Sequence, residues 1–553
     1  KEAVSKGQPL FTYVDKERDV LRHPFLHRGC LCVVMCKSKI VFKTYNQQQA
    51  MLLPPNLDEL IDGTHPVRVI NNVIDSLDIS SLSKQYKGGG TSSYHPRMLL
   101  KVLVYAYICN EYSSRRIEEL LKRDVQFMWL SGMQTPDHNT INRFRCDKLK
   151  DTLKQIFTQV VQLLANSGHI GLKHINVDGT KIEANANRYT FVWGNAIKTN
   201  KEKMAAQLQA LWDYAETVAA EELKDKRPTN FTPVDAASVQ QTIDQLNAAL
   251  QDKPVEKKVK QKLNYARNNW PGNIEKYNEQ EKILNGRNSY SKTDNEATFM
   301  RMKEDHMKNG QLKPGYNIQV SSENQFVLNY TLHPNPTDTL TLPEHIEDFK
   351  EQLNTLPQTL TADAGYGSEQ NYEVMEQQQI EAYVKYNYFD KEQQGKRNTL
   401  AADQLHYNPT ADYIVCPMGQ HMQNIGTHKQ KNRSGFEQSI TKYQAPNCEG
   451  CPLRGVCHKQ KGNRIIEINH RLRILKQQAA ERLRSEEGIQ KRKQRCADVE
   501  PIFANWKQNK GFRRCRLRGK EKVSVEIGLI SMAHNLQRMI KGKKLEINHQ
   551  KAA

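Results

Sequence analysis

The chain reads as an α/β protein. A mixed sheet with flanking helices follows an all-α N-terminal domain and is interrupted by a helical insertion and by a small insertion whose cysteines suit zinc. Three observations predict this. Two distant segments, Ile175 to Lys181 and Thr359 to Gly367, carry strand patterns that each run into an aspartate with glycine close behind. Between them lies a long polar block whose apolar residues step by three and four, as in packed helices. A third stretch holds Cys416, Cys448, Cys451 and Cys457.

In the first segment Ile175 and Val177 alternate with polar neighbours and deliver Asp178 just before Gly179. Asp-Gly is a common hairpin signal, so by itself Asp178 reads as a turn residue. A carboxylate ending a buried strand is nevertheless costly unless it is paired, protonated or bound to a metal. Thr359 to Ala362 repeats the arrangement and ends at Asp363, followed by Gly365 and Gly367. Two strands of one sheet finishing this way bring both acids to the same edge. Strands at Gly315 to Val320 and Gln325 to Leu332, turning at Ser322-Glu323-Asn324, complete the pattern. So do helices at Leu342 to Leu353 and Ser368 to Gln378 and a strand at Ile380 to Tyr386.

With 553 residues there is room for about three to four domains of ~150 residues. Lys and Arg number 81 against 61 Asp and Glu, a formal charge of +20, and this excess favours a polyanionic partner such as DNA or RNA. No apolar run is long enough to span a membrane, and the stretch at residues 30–35 is too short for a signal-peptide core. A reducing cytosol is the expected compartment, so the eleven cysteines suggest metal ligation or plain thiols instead of disulfides.

Residues 1–37 show no clear period and receive no function; Met35 is a candidate native start. From residue 38 to 150 the pattern is helical, with short pieces at Leu57 to Leu60 and Val67 to Leu77 and a loop at Lys87 to Thr91. A helix follows Pro96, another runs from Arg115 to Arg123 behind Ser113 or Ser114, and a third starts near Pro136 to Asn139. That third helix, with Thr140, Asn142, Arg143 and Arg145, suits the last helix of a helix-turn-helix reader lying in a major groove; a plain bundle with basic faces is the alternative.

In residues 201–286, Met204, Leu208, Leu211, Ala215 and Val218 form one seam, Val239, Ile243, Leu246 and Leu250 a second, and Val259, Leu263 and Ala266 a third. Breaks at residues 226–233 and at Pro254 make these antiparallel helices, with a structural or dimerising role. In residues 390–463 the sheet pattern stops. The cysteines there are spaced Cys-x31-Cys-x2-Cys-x5-Cys, which suits a closed structural Zn²⁺ site, with His458 as an alternative ligand and free thiols as the other reading. From Ile465 the chain reads as helical and basic. Cys496, Val499, Phe503 and Trp506 trace an apolar stripe with Glu500 beside it and Lys507 two turns on. Pro501 implies a kink or a helix start near Glu500. A basic loop from Gly511 to Lys520 precedes a last helix, Val525 to Ile540, and a tail at 541–553.

Residues 38 to 540 resemble bacterial insertion-sequence transposases of the DDE type. The carriers are Met51-Leu52-Leu53-Pro54-Pro55, His95-Pro96-Arg97-Met98-Leu99-Leu100, Val177-Asp178-Gly179-Thr180-Lys181-Ile182-Glu183-Ala184, Thr361-Ala362-Asp363-Ala364-Gly365-Tyr366, and Val499-Glu500 with the Gly511-Phe512-Arg513-Arg514 segment. The resemblance implies a ribonuclease H-like catalytic domain assembled from residues 151–200, 287–389 and 464–540. It implies an acid triad of Asp178, Asp363 and Glu500 holding two Mg²⁺ ions, with Mn²⁺ as substitute, and Lys507 on the adjacent phosphate, where a solvated helix lysine is the alternative. Related transposases often carry a tyrosine and an arginine at set distances before the glutamate, one of them the position four residues before it. That position is Cys496 here, and Arg492 and Arg495 lie nearby as DNA contacts, with Arg513, Arg514, Arg143 and Arg145 as further ones. Asp294, Glu296 and Glu183 are other acids near strands and are not taken as ligands.

The implied activity is recognition of terminal inverted repeats, cleavage at the element ends and joining to target DNA, by a nucleoid-associated cytoplasmic homodimer. Alternatives are a non-catalytic DNA-binding protein or repressor derived from such an enzyme, and a nuclease of the same fold that does not transpose.

Overall fold

The computed structural model describes residues 56–86, 93–232, 235–302, 310–432 and 434–552. Residues 1–37, the motif at 51–55 and the loop at 87–92 lie outside the described residues. The centre is a six-stranded mixed sheet of β1 (His174–Glu183), β2 (Thr298–Arg301), β3 (Leu312–Glu323), β4 (Phe326–His333), β5 (Thr359–Ala362) and β6 (Glu381–Val384). The order is β2-β3-β1-β5-β6, with β4 also paired to β3. β1, β3 and β4 form an antiparallel meander. β5 and β6 join it parallel to β1, and the parallel step is what sets the end of β5 level with the middle of β1.

The β3–β4 turn falls at Asn324-Gln325, one residue later than the sequence predicts. Both residues adopt positive φ (53° and 63°), as a two-residue hairpin turn requires. The exposed edge of β4 is covered by the C-terminal helix Lys520–Ala552. Asn535 Oδ1 there accepts from Val327 N at 2.8 Å, while its Nδ2 donates to Val327 O at 2.7 Å. Covering an edge in this way removes a template for strand addition.

That helix also packs on the N-terminal helices. Pro96–Ile108 is buried on nearly every side, and one hydrophobic core runs without a break from Ile61 to Ile540. The His95-Pro96-Arg97 motif has a local explanation. His95 Nδ1 accepts from Arg97 N at 3.2 Å, capping the helix, and Arg97 Nη1 donates to the carbonyls of Asp75 and Leu77 at 3.0 Å each, closing the end of the helix Pro66–Ser76. The helices Ser114–Arg123, Val125–Ser131 and His138–Arg143 follow, the last capped by Asp137. Residues 57–60 form a turn instead of the expected helix.

The three seams of the helical insertion meet as expected. Gly194–Val218, Ala236–Ala249 and Lys257–Leu284 share a core of their own, containing Leu208, Leu211, Ile243, Leu246 and Leu263. The cysteine-bearing insertion departs from the sequence reading, because the sheet pattern does not stop there. Strands Tyr407–Asn408, Tyr413–Val415, His421–Lys431, Glu437–Gln444 and Ile465–Ile468 form a five-stranded antiparallel sheet. The longest of them, His421–Lys431, is exposed along most of its length, so no apolar alternation marks it.

Helices His470–Arg484 and Glu486–Ala504 follow, divided at Ser485, whose Oγ accepts from Gly488 N. Pro501 neither starts nor ends the second helix. Proline removes the N–H that would bond the carbonyl four residues back. That carbonyl, Ala497 O, instead accepts from Gln325 Nε2 at 2.9 Å.

Candidate active site

Asp178 sits within β1. It lies two residues beyond the last β1–β5 pair, Asn176 with Thr361, which sets it level with Asp363, the residue just past β5. Each aspartate is anchored by a backbone amide. Gly179 N donates to Asp178 Oδ1 at 2.8 Å, and Gly365 N donates to Asp363 Oδ1 at 2.7 Å, where Asp363 caps a short turn. The other carboxylate oxygens face a single cation: Arg495 Nη2 is 3.0 Å from Asp178 Oδ2 and 3.9 Å from Asp363 Oδ2. The two acids therefore converge, as the sequence predicts.

Arg495 is placed by the helix Glu486–Ala504, which crosses the ends of β5, β1 and β3. Lys491 Nζ donates to Thr359 Oγ1 at 3.2 Å. Asp498, buried, accepts from Asn176 Nδ2 at 2.7 Å, from Ser322 Oγ at 3.1 Å and from Gln325 N. Burial pushes the Asp498 carboxyl above the usual range, and those hydrogen bonds oppose the shift. Lys491, Arg495, Asp498 and Ile502 thus form the inward face. Sequence reading missed Asp498; its spacing of three from Arg495 was the available signal.

Glu500 is not brought to this pair. Five residues past Arg495, it is turned by about 140° on an ideal helix, and it is exposed. Lys507 is buried in a wide helical turn, Asn505–Asn509, with its carbonyl accepting from Arg513 Nε at 3.0 Å.

A second missed acid is Asp338, in the segment between β4 and the helix Leu342–Leu353. Its Oδ1 accepts from Asn317 Nδ2 at 2.8 Å and Gln319 Nε2 at 2.9 Å, and Tyr366 OH donates to Gln319 Oε1. Burial first, and then the charges of Asp338, Asp178 and Asp363, hold the Tyr366 hydroxyl well above its ordinary pKa, so it stays protonated and donates. Gly179 leaves the room for this group: a Cβ there would stand 2.5 Å from Asp338 Oδ1. In sequence Asp338 is an unremarkable loop residue after Asn335-Pro336-Thr337.

The basic residues divide. Arg514 is exposed and held to the chain after β1, with Nε donating to Ala184 O at 3.2 Å and Nη2 to Ala186 O at 3.0 Å. Glu183 N donates to Arg513 O and Cys515 N to Glu183 O, so the basic loop is stitched to the end of β1. Arg513 and Arg143 are exposed, and Arg492 lies over the Phe389 ring at 5.3 Å.

Arg145 is a correction. It is 3% exposed, donates to Tyr112 O at 2.8 Å and Asn142 Oδ1 at 3.1 Å, and neighbours Tyr107, whose hydroxyl reaches buried Glu526. It serves the core and cannot present its charge to DNA. Glu183 pairs with Arg188 at 2.8 Å, Asp294 accepts from Tyr316 OH, and Glu296 accepts from Lys520 N. These acids are structural.

Among the described residues no group of three or more His, Cys, Asp or Glu side chains is gathered as a metal site. For Asp178, Asp363 and Glu500 the reason is the outward turn of Glu500. The four cysteines are likewise not gathered as the zinc cage the sequence suggests; Cys416 Sγ accepts from Met418 N and Gln420 N at 3.4 and 3.3 Å, Cys448 Sγ from Arg464 N at 3.3 Å, and Cys457 Sγ from Arg464 Nη1 at 2.8 Å. Two converging aspartates still fit a divalent cation, since Mg²⁺ is commonly held by one or two carboxylates with the remaining ligands from water and phosphate.

Residues 55–147 match the family described as "Transposase domain (DUF772)" and residues 415–540 the family described as "Transposase DDE domain". No curated protein matches the chain. The second match spans Arg495, Asp498 and Glu500 on the helix that closes over the two aspartates, and the first spans the N-terminal helices, which pack on the C-terminal helix Lys520–Ala552. The two matches meet in one continuous core, and together they indicate an insertion-sequence transposase of the DDE type.

Proposed function

We propose that this transposase binds the terminal inverted repeats of its element, cleaves DNA at the ends and joins them to target DNA by Mg²⁺-dependent phosphoryl transfer on a ribonuclease H-like sheet. The observation that carries the reading is the convergence of Asp178 Oδ2 and Asp363 Oδ2 on one cationic group at 3.0 and 3.9 Å. Asp178 and Asp363 would hold the divalent ions, which when bound would activate the attacking oxygen and stabilise the leaving one in an in-line displacement. Glu500 enters as the third acid on the resemblance alone.

The chain's own residues do the rest. The amides of Gly179 and Gly365 hold the aspartates at one edge of the sheet. Arg513 and Arg514, on a loop stitched to β1, lie where a DNA backbone can approach that edge, and charge-assisted contacts to phosphate fix its register. The helix His138–Arg143 offers Asn139, Asn142 and Arg143 on its exposed side and would read bases in a groove. A homodimer bridging two ends fits joint cleavage of both. No helix among the described residues is long and apolar enough to cross a membrane.

The test is strand cleavage and transfer on DNA carrying the element ends. Full activity in Asp178→Ala or Asp363→Ala protein would sink the metal assignment. The outward position of Glu500 favours a second reading, a DNA-binding protein that does not cut; end binding without any cleavage in Mg²⁺ or Mn²⁺ would select it.

A further inference from the structure

Arg495 faces both aspartates. In each aspartate the Oδ1 atom accepts from a backbone amide and the Oδ2 atom faces Arg495. A cation shared by both carboxylates must use the oxygens that the guanidinium already uses. The side chains of Asp178 and Arg495 are only 13% and 12% exposed, so their attraction is poorly screened, whereas Asp363 is half exposed and leaves the site open on its side. The buried Arg495 Nε has no hydrogen-bond partner, so the guanidinium is held there by the two carboxylates and not by a full set of donors' partners.

We propose that Arg495 is the resident cation of the site: it neutralises and aligns Asp178 and Asp363 before metal arrives, and a divalent ion enters by displacing it. This rests on the reading of Asp178 and Asp363 as the metal-holding pair. Without a cation, two carboxylates level with each other on neighbouring strands repel. With Arg495 between them the two carboxylates keep their geometry, so the site is built before the ion binds. The ion then competes with an internal charge, and the released guanidinium is a planar fork suited to a phosphate. Arg495 is thus a positioning residue, and its removal should strengthen metal binding while weakening the metal-free fold.

The experiment is Mn²⁺ titration of the full-length protein without DNA, followed by calorimetry and by the paramagnetic signal of free Mn²⁺, with thermal melts in metal-free buffer. Arg495→Gln is expected to bind Mn²⁺ about tenfold more tightly than the parent, a change of about 1.4 kcal/mol, and to melt lower until Mn²⁺ is added. Arg495→Lys, which keeps a charge, is expected to fall between them and stands in if the glutamine variant does not fold. Mn²⁺ binding that is lost in Asp178→Asn and Asp363→Asn yet equal or weaker in Arg495→Gln and Arg495→Lys would overturn the role of Arg495 alone. Mn²⁺ binding that survives both asparagine variants, or is absent throughout, would overturn the metal-pair reading and the inference with it.

Discussion

Asp178 and Arg495, 317 positions apart in sequence, meet at 3.0 Å between a central strand and the helix that crosses it. The contact joins the two halves of the candidate site. Asp178→Asn and Asp363→Asn should each lower strand cleavage by about a hundredfold or more, because each removes a charge from the proposed metal-holding pair. An asparagine oxygen can still accept from Gly179 N or Gly365 N, so Asp363→Asn should change the melting temperature little, while Asp178→Asn, which loses the 3.0 Å pair with Arg495, should lower it. Parallel cleavage assays and thermal melts check both halves of the expectation.

Gly179 is the position where a single carbon should be felt. Its added Cβ would stand 2.5 Å from Asp338 Oδ1 and 2.6 Å from Gln319 Nε2, two atoms that share a hydrogen bond of 2.9 Å. Gly179→Ala is expected to cost about 1–3 kcal/mol by urea denaturation and to reduce cleavage, since Asp178 is its chain neighbour. Unchanged stability would show that Asp338 moves aside freely.

Asp498 and Glu500 should separate stability from chemistry. Asp498→Ala leaves Asn176 Nδ2, Ser322 Oγ and Gln325 N without their acceptor and should destabilise by at least about 2 kcal/mol. Glu500→Gln, at an exposed position, should leave the melting temperature unchanged and lower cleavage, as the proposed third acid requires. Full cleavage by the Glu500→Gln protein would remove Glu500 from the mechanism.

Arg143 and Arg145, two residues apart, are expected to behave oppositely. Arg143→Ala should weaken binding to element ends and reduce the salt dependence of affinity by about one unit of slope, with stability kept within about 0.5 kcal/mol. Arg145→Ala should lose about 3–5 kcal/mol, because it empties a buried site between Tyr112, Asn142 and Tyr107. Filter binding across a salt series, together with denaturation, distinguishes the two.

Lys510 supplies a pH dependence. It is buried, and its Nζ donates to Tyr107 O and Ile108 O at 3.2 and 3.3 Å, tying the turn after the crossing helix to the end of the helix Pro96–Ile108. Burial pushes its pKa from 10.5 down to about 8. Between these values the unfolded chain binds more protons than the folded one, so Lys510 makes stability rise with pH from about 8 to 10.5 and withdraws that contribution as pH falls through about 8. Lys510→Met should flatten this part of the profile, measured as the urea midpoint at several pH values.

Much of this was written locally. The strand patterns at Asp178 and Asp363, the helix Leu342–Leu353 and the three seams of the helical insertion follow from side-chain periodicity, which reports which face of an element is buried. The pairing of the two aspartates followed from the same source, because each strand segment carries an aspartate with glycine close behind, although β1 runs on past Asp178 to Glu183 where the sequence reading ended it. The five-stranded sheet of the cysteine-bearing insertion was illegible for the opposite reason: its longest strand, His421–Lys431, is exposed along most of its length and leaves no alternation.

The sequence by itself determined that two strand segments would each carry an aspartate followed by glycine and that the chain around them would be strongly basic. Only the tertiary structure decided what meets those carboxylates. The rotation of the Glu486–Ala504 helix turns Arg495 and Asp498 inward and Glu500 outward, and Asp498 helps to set it through bonds to Asn176, Ser322 and Gln325 on β1 and the β3–β4 hairpin. A helix exposes some face wherever it lies. Which face it turns to the sheet depends on partners hundreds of residues away, and spacing along the chain carries no record of them.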